Sequence, residues 1–188
     1  MKIFFFGGTF DPPHKAHKLM YKYCLGLCDK FIFFPCKQSP LKSEPFSSNV
    51  DRMKMLELLI DNKDFKKVSI DDFELNNGDI SFTIDTINYI KNKFPSDSIY
   101  MVIGYDQYKN FKKWKKYKEI LNNVEIVCFM RSGNSFDANF DATFIDFDYE
   151  ISSTLIRKSL KVKDYESIKP LLDQKVYDYI VKKGIYRN

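Results

Sequence analysis

No stretch of the 188 residues approaches the roughly 20 consecutive apolar positions that a membrane-spanning helix requires. The opening Met1-Lys2-Ile3-Phe4-Phe5-Phe6 runs into glycines instead of a signal-peptide core and cleavage site, so a cytoplasmic protein with no membrane partner is expected. Cysteine is sparse. Cys24, Cys28, Cys36 and Cys128 form no Cys-x-x-Cys pair and have no histidine at zinc-finger spacing, so neither a disulfide framework nor a metal site is indicated. They read as reduced, mostly buried, small apolar residues. Glycine numbers seven, and the Gly7-Gly8 turn lacks both a Gly-Lys-Ser/Thr ending and a third glycine, which removes the Walker A loop and the dinucleotide-binding fingerprint. Histidine occurs twice and tryptophan once.

Apolar mass is plentiful: 44% of residues are hydrophobic and 16% aromatic, with 18 Phe and 12 Tyr. That excludes disorder, collagen-like and low-complexity classes and supports one ordinary domain spanning 1–188. Thirty Lys and Arg against 25 Asp and Glu leave a net charge of +5, which favours phosphate-bearing partners without identifying one.

Along the chain, apolar runs predict strands at Ile3–Phe6, Phe31–Phe34, Val68–Ile70, Ile99–Ile103, Glu125–Met130 and Thr143–Phe147, the last two separated by a Ser132-Gly133-Asn134-Ser135 loop. Helical spacing predicts a helix from about His14 to Leu27 through Leu19, Met20, Tyr23, Cys24 and Leu27. A second, capped by Asn49, runs from about Val50 to Ile60 with Met53, Leu56, Leu59 and Ile60 on one face. Further helices are expected at Thr83–Lys93, Ser153–Leu160 and Gln174–Lys183. The proline-punctuated stretch Cys36 to Asn49 is a candidate lid. Strands alternating with helices predict an α/β fold: a doubly wound, mainly parallel, Rossmann-like sheet with helices on both faces, the C-terminal helices (about 153–188) packed on it, and a ligand crevice at the strands' carboxyl ends.

Gly7-Gly8-Thr9-Phe10 follows a strand and leads toward a helix, where free N–H groups receive phosphate oxygens. The two histidines, His14 and His17, lie three apart just beyond it, on one face of the first helical turn. Imidazole donors there suit a transition state on a triphosphate, where oxygens gain charge as the α-phosphorus is attacked. His-x-x-His alone also fits half a metal site or an incidental surface pair. With no carboxylate or cysteine at ligand spacing, phosphate is favoured over metal.

Gly7-Gly8-Thr9-Phe10-Asp11-Pro12-Pro13-His14-Lys15-Ala16-His17 resembles the signature of the nucleotidyltransferase superfamily, with Ala16 in place of its usual glycine. Ile151-Ser152-Ser153-Thr154-Leu155-Ile156-Arg157 resembles the superfamily's second motif, I-S-S-T-x-I-R. For Ser153 and Thr154 helix capping is the simpler reading, and the arginine one turn on adds a shared anion.

Within the superfamily the chain is similar, over nearly its full length, to bacterial nicotinate-mononucleotide adenylyltransferases. Pro35 followed by Ser39-Pro40-Leu41-Lys42 resembles their P-x-x-x-x-P-H-[KR] loop, with Leu41 replacing the histidine. Ser81-Phe82-Thr83 with Asp85-Thr86, Ile103-Gly104-Tyr105-Asp106 with Trp114, and the ending Val176…Tyr179-Ile180…Gly184-Ile185-Tyr186 resemble three further segments.

The resemblance implies adenylyl transfer from ATP to nicotinic acid mononucleotide, with Mg²⁺ as cofactor. It implies His14, His17, Lys42 and Arg157 around the triphosphate. Gly7, Gly8, Thr9, Phe10, Gly104, Asp106, Ser153 and Thr154 would bind ATP, and Thr83 and Trp114 the acceptor, the ring stacking on Trp114 and backbone N–H groups near both receiving the carboxylate. Another acceptor, pantetheine phosphate or nicotinamide mononucleotide, stays open. So does an RNA-binding reading of the basic run Lys112 to Lys118, although no nucleic-acid partner is expected because such a run on a chain of this charge is usually a solvated face.

Overall fold

The computed structural model of the protein describes residues 1–130, 140–149 and 151–187, and the loop expected at Ser132–Ser135 lies outside them. Six strands form one sheet: β1 (Lys2–Gly8), β2 (Lys30–Pro35), β3 (Val68–Ile70), β4 (Ser98–Gly104), β5 (Glu125–Met130) and β6 (Thr143–Asp146). Their order is β3-β2-β1-β4-β5-β6, and every pairing is parallel. The chain winds outward from β1 to β3, then returns to lay β4 on the other side of β1. That reversal opens a crevice beyond the carboxyl ends of β1 and β4, where Gly7, Gly8 and Gly104 lie.

Helices cover both faces, which is why the central strands are continuous apolar runs. The period of two divides those runs between two cores. Phe4, Phe6, Phe31 and Phe33 face one; Ile3, Phe5, Ile32 and Phe34 face the other. The first core is closed by α1 (Lys15–Cys24), α2 (Asn49–Leu59), α7 (Ser153–Lys161), α8 (Tyr165–Ile168) and α9 (Gln174–Lys183) through Met20, Leu56, Leu160, Ile168 and Ile180. The second is closed by α4 (Thr83–Lys93), α5 (Tyr105–Asn110) and α6 (Tyr117–Leu121) through Ile87, Tyr108 and Ile120, with α3 (Phe73–Asn76) at its rim.

Two local expectations are corrected. α1 buries Ala16, Met20, Tyr21 and Cys24, and Leu19, Tyr23 and Leu27 stand exposed, because the buried stripe follows the i, i+4 row from Ala16. The cap of α2 is Ser48, which accepts from Asp51 N at 3.1 Å, while Asn49 turns its amide oxygen to Arg52. Among the described residues no helix is long and apolar enough to cross a membrane.

Candidate active site

Beyond β1 the chain turns through Thr9 and Phe10, and Phe10 takes φ 51°, a left-handed conformation few side chains accept. Its ring is held edge-on to Phe6, Phe33 and His17, with centroids at 5.4, 5.5 and 5.1 Å. A Cβ on Gly8 would lie 3.0 Å from that ring, so glycine is what allows the turn to fold over its own aromatic side chain.

Behind the turn lies Arg52, fully buried. Its Nη1 donates to the carbonyls of Thr9 and Cys36, both at 2.7 Å, and its Nη2 to Asn49 Oδ1 at 2.5 Å. The guanidinium thus ties the end of β2 to the β1 turn and places a positive charge beneath it. Burial lowers its pKa from the usual arginine value.

His14 is the N-cap of α1 and His17 its third residue. The His14 backbone N–H donates to His17 Nδ1 at 3.1 Å, which assigns the ring proton of neutral His17 to Nε2. The two rings stack with centroids 3.8 Å apart and planes 23° apart. Among the described residues His14 Nδ1 is buried with no hydrogen-bond partner. Desolvation drives His14 down to about 3, and desolvation followed by His14 and Lys42 holds His17 well below 6.5. Both imidazoles are neutral near pH 7.

α7 docks on the same segment from the far end of the chain. Ser152, not Ser153 or Thr154, caps it, accepting from Leu155 N at 3.2 Å. Ser153 is instead spent on the fold, its Oγ donating to Pro12 O at 2.9 Å, because the cap position falls one residue earlier. Arg157 donates through Nη1 to Asp11 O at 2.7 Å and through Nη2 to Thr154 Oγ1 at 3.2 Å, and lies 4.5 Å above the Phe46 ring. These bonds join residues 141 and 146 positions apart, which explains how the two motifs form one site.

Two cavities open here. A larger one of about 710 Å³ is lined by Gly7, Gly8, Thr9, Leu41, Lys42, Glu74, Thr83, Asp106, Lys113, Trp114 and Lys115, among others. A second, of about 520 Å³, is lined by Gly7 to Asp11, His14, His17, Lys42, Phe46, Gly104, Asp106, Ser153, Thr154 and Arg157, among others. Gly7, Gly8, Thr9, Lys42, Asp106 and Gln107 belong to both and form the wall between them. Every residue expected at the site lines one cavity or both.

Lys42 sits on the exposed tip of the 36–48 loop, whose stems are pinned at each end. Lys37 N donates to Ser81 Oγ at 3.1 Å and Ser81 N to Gln38 O at 3.0 Å; at the other stem Phe46 N donates to Asp11 Oδ2 at 2.7 Å. Asp106 is exposed and pairs with Lys109 at 3.1 Å. Trp114 stacks on Phe111 with centroids 4.9 Å apart. Its own amide donates to Phe111 O at 2.9 Å. Lys115 Nζ lies 4.0 Å over the Phe82 ring.

Sequence reasoning missed Asp11 as a functional group, and Arg52 and Glu74 altogether. Glu74 is buried in the wall of the larger cavity; Thr86 Oγ1 donates to its Oε1 at 2.6 Å, and desolvation raises its carboxyl to about 7. A charge on the apolar face of α2, one turn from Leu56, was the available signal for Arg52. Among the described residues no three His, Cys, Asp or Glu side chains converge as a metal cage.

The cytidylyltransferase-like family matches residues 5–159. The chain is 34% identical over 195 residues to the nicotinate-nucleotide adenylyltransferase of Bacillus subtilis, covering 100% of this chain and 99% of that protein. It is 36% identical over 165 residues to a probable nicotinate-nucleotide adenylyltransferase of Aliarcobacter butzleri, covering 87% of this chain and 90% of that one. A solved Plasmodium falciparum nicotinic acid mononucleotide adenylyltransferase, complexed with NaAD, superposes with a TM-score of 0.83 at 23% identity, covering 98% of this chain and 97% of that one. With both motifs meeting at one sheet switch point and relatives matched over most or all of their length, the chain belongs to the nicotinate-nucleotide adenylyltransferases of the cytidylyltransferase-like family.

Proposed function

We propose that the protein transfers the adenylyl group of MgATP to nicotinic acid mononucleotide, in the cytoplasm, as a step of NAD biosynthesis. The observation that carries this reading is the pair of cavities sharing one glycine-rich wall, which suits two phosphate-bearing substrates meeting at Gly7, Gly8 and Thr9. The solved Plasmodium relative is complexed with NaAD, the dinucleotide such a reaction yields.

The chemistry needs no base and no covalent intermediate. A 5′-phosphate oxygen of the mononucleotide, already anionic, attacks the α-phosphorus of ATP. A new P–O–P bond forms, the α–β anhydride bond breaks, and pyrophosphate leaves with its electron pair. Mg²⁺ would enter with ATP as part of the substrate and supply charge neutralisation there: the smaller cavity mixes the cations Lys42 and Arg157 with the carboxylates of Glu44 and Asp106, and among the described residues no three ligand side chains converge as a cage of the protein's own. His17 Nε2–H and His14 donate to oxygens that gain charge in the transition state. Lys42, on the shared wall, reaches the transferred phosphate, and Arg157 the triphosphate from the α7 side. Backbone N–H groups of Gly7 to Phe10 and of Ser153 and Thr154, in the first turn of α7, complete the nucleotide cradle, with Gly104 and Asp106 receiving the ribose.

In the larger cavity Trp114 stacks on the pyridine ring, and Thr83, first residue of α4, offers an N–H that no helical carbonyl claims. Lys113 and Lys115 add positive charge to that wall, which favours the carboxylate of the nicotinate form over the amide of the nicotinamide form. The test is to incubate the protein with MgATP and, separately, nicotinic acid mononucleotide, nicotinamide mononucleotide and pantetheine phosphate, and to follow pyrophosphate. The fastest release with the nicotinate form is expected. Release only with pantetheine phosphate, or none with any acceptor, would overturn the assignment.

A further inference from the structure

The chemistry above leaves the carboxyl-terminal tail unused, yet the tail returns to the site. α9 ends at Lys183, and Gly184, at φ 69°, reverses the chain so that Ile185 N donates to Ile180 O at 3.2 Å. Tyr186 follows with φ 68°, a left-handed backbone that a tyrosine holds only where its contacts demand it. Those contacts are on the phosphate turn. Its hydroxyl donates to Asp11 Oδ1 at 2.6 Å and lies 3.0 Å from Ser47 Oγ.

Asp11 is 3% exposed, and its carboxylate also accepts from Phe46 N at 2.7 Å, Ser47 N at 3.2 Å and Ser47 Oγ at 2.5 Å. A buried carboxylate is stabilised by such donors, and each is worth more than a neutral hydrogen bond. Asp11 therefore clamps the returning stem of the 36–48 loop, and the tail supplies one jaw. Burial, then the Asp11 charge, raises the Tyr186 phenol well above its ordinary range, so it remains a donor at working pH. The clamp reaches the smaller cavity directly: the Asp11 carbonyl accepts from Arg157, whose guanidinium rests on the ring of Phe46, and the Phe46 backbone N–H donates to the Asp11 carboxylate.

We propose that Tyr186 is a positioning residue for ATP, acting from the carboxyl terminus through Asp11 to fix the loop stem, Phe46 and Arg157. The substrate named in this inference rests on the adenylyl-transfer reading; the clamp itself does not. Phe46 and Arg157 line only the smaller cavity, so the effect belongs to ATP and not to the acceptor. A tyrosine inside α9 provides the comparison. Tyr179 donates to Asp51 Oδ1 at 2.7 Å, tying α9 to α2, and lines neither cavity.

The experiment compares Tyr186→Phe, Tyr179→Phe and Ser47→Ala with the parent protein, each checked for a cooperative thermal transition. It measures KM for both substrates, kcat, and the rate of limited proteolysis in the loop without ligand. Tyr186→Phe is expected to raise the ATP KM roughly tenfold, the lower end of what one hydrogen bond to a charged group is worth, with kcat and the acceptor KM within about twofold. It is also expected to speed loop cleavage. Ser47→Ala should act in the same direction and Tyr179→Phe on neither readout. Equal ATP KM shifts in Tyr186→Phe and Tyr179→Phe, equal rises in both substrate KM values, or parental behaviour of Tyr186→Phe and Ser47→Ala in folded protein would each overturn the proposal. An inactive parent protein would strike the adenylyl-transfer reading instead, and the loop cleavage rates would still decide the clamp.

Discussion

Burial makes neutral imidazoles of His14 and His17, and each neutral ring keeps a single N–H to donate. Their stacked edges leave little room to move, so each donor is held ready before charge develops. Replacing His17 by alanine is expected to lower turnover by on the order of 10²–10³, and replacing His14 similarly, with smaller changes in ATP affinity; steady-state kinetics on both variants checks it. Burial also links His14 to stability. Its pKa falls from 6.5 in the unfolded chain to about 3 in the fold, so the unfolded state takes up the proton first and stability is lost as pH drops below 6.5. His14→Asn should therefore show a shallower loss between about pH 6.5 and 4, read by denaturant midpoints at several pH values. Trp114 packs on Phe111 in the wall of the other cavity, the one proposed for the acceptor. Trp114→Ala should weaken nicotinic acid mononucleotide by roughly 1–3 kcal/mol, as for aromatic stacking on bases, and leave ATP nearly unchanged. Equal losses for both substrates would make Trp114 a core residue.

At the scale of elements, the 36–48 loop is the part expected to respond to nucleotide. Its stems are fixed by Ser81 and Asp11, and between them residues 40–44 are exposed, with Lys42 at the centre. MgATP should draw Lys42 inward and slow proteolysis at the tip; equal cleavage with and without MgATP would contradict a closing loop. The loop's existence was readable from its prolines, but its anchors were not, because Ser81 and Asp11 lie 44 and 35 residues away along the chain. The same division runs through the fold. Glu125–Met130, Thr83–Lys93 and Gln174–Lys183 match their expected bounds because the first is an unbroken apolar run after Glu125 and the other two are periodic over about three turns. The short α3, α5, α6 and α8 carry too few turns for a period to show. Ser48 and Asn49 are both good caps in adjacent positions, and only the backbone geometry chooses Ser48. Arg52, Glu74 and Tyr186 stayed hidden as site residues because their partners, Thr9, Thr86 and Asp11, are set by tertiary contact.

At the scale of the molecule, function follows from where the sheet reverses. The β1–β4 switch point leaves two cavities on one wall, α7 brings Arg157 to the His14–His17 segment, and α9 returns Tyr186 to the same turn. Two distant parts of the chain therefore converge on Gly7 to His17. In the proposed reaction ATP takes the smaller cavity, the pyridine mononucleotide the larger, and the reacting phosphates meet at the glycine wall between them. A crystal structure with the dinucleotide product tests that arrangement most directly. The account predicts the adenosine half in the cavity of His14, His17 and Arg157, the pyridine ring against Trp114, and the linking pyrophosphate at Gly7, Gly8 and Thr9. A dinucleotide bound with the halves exchanged, or lying outside both cavities, would contradict it.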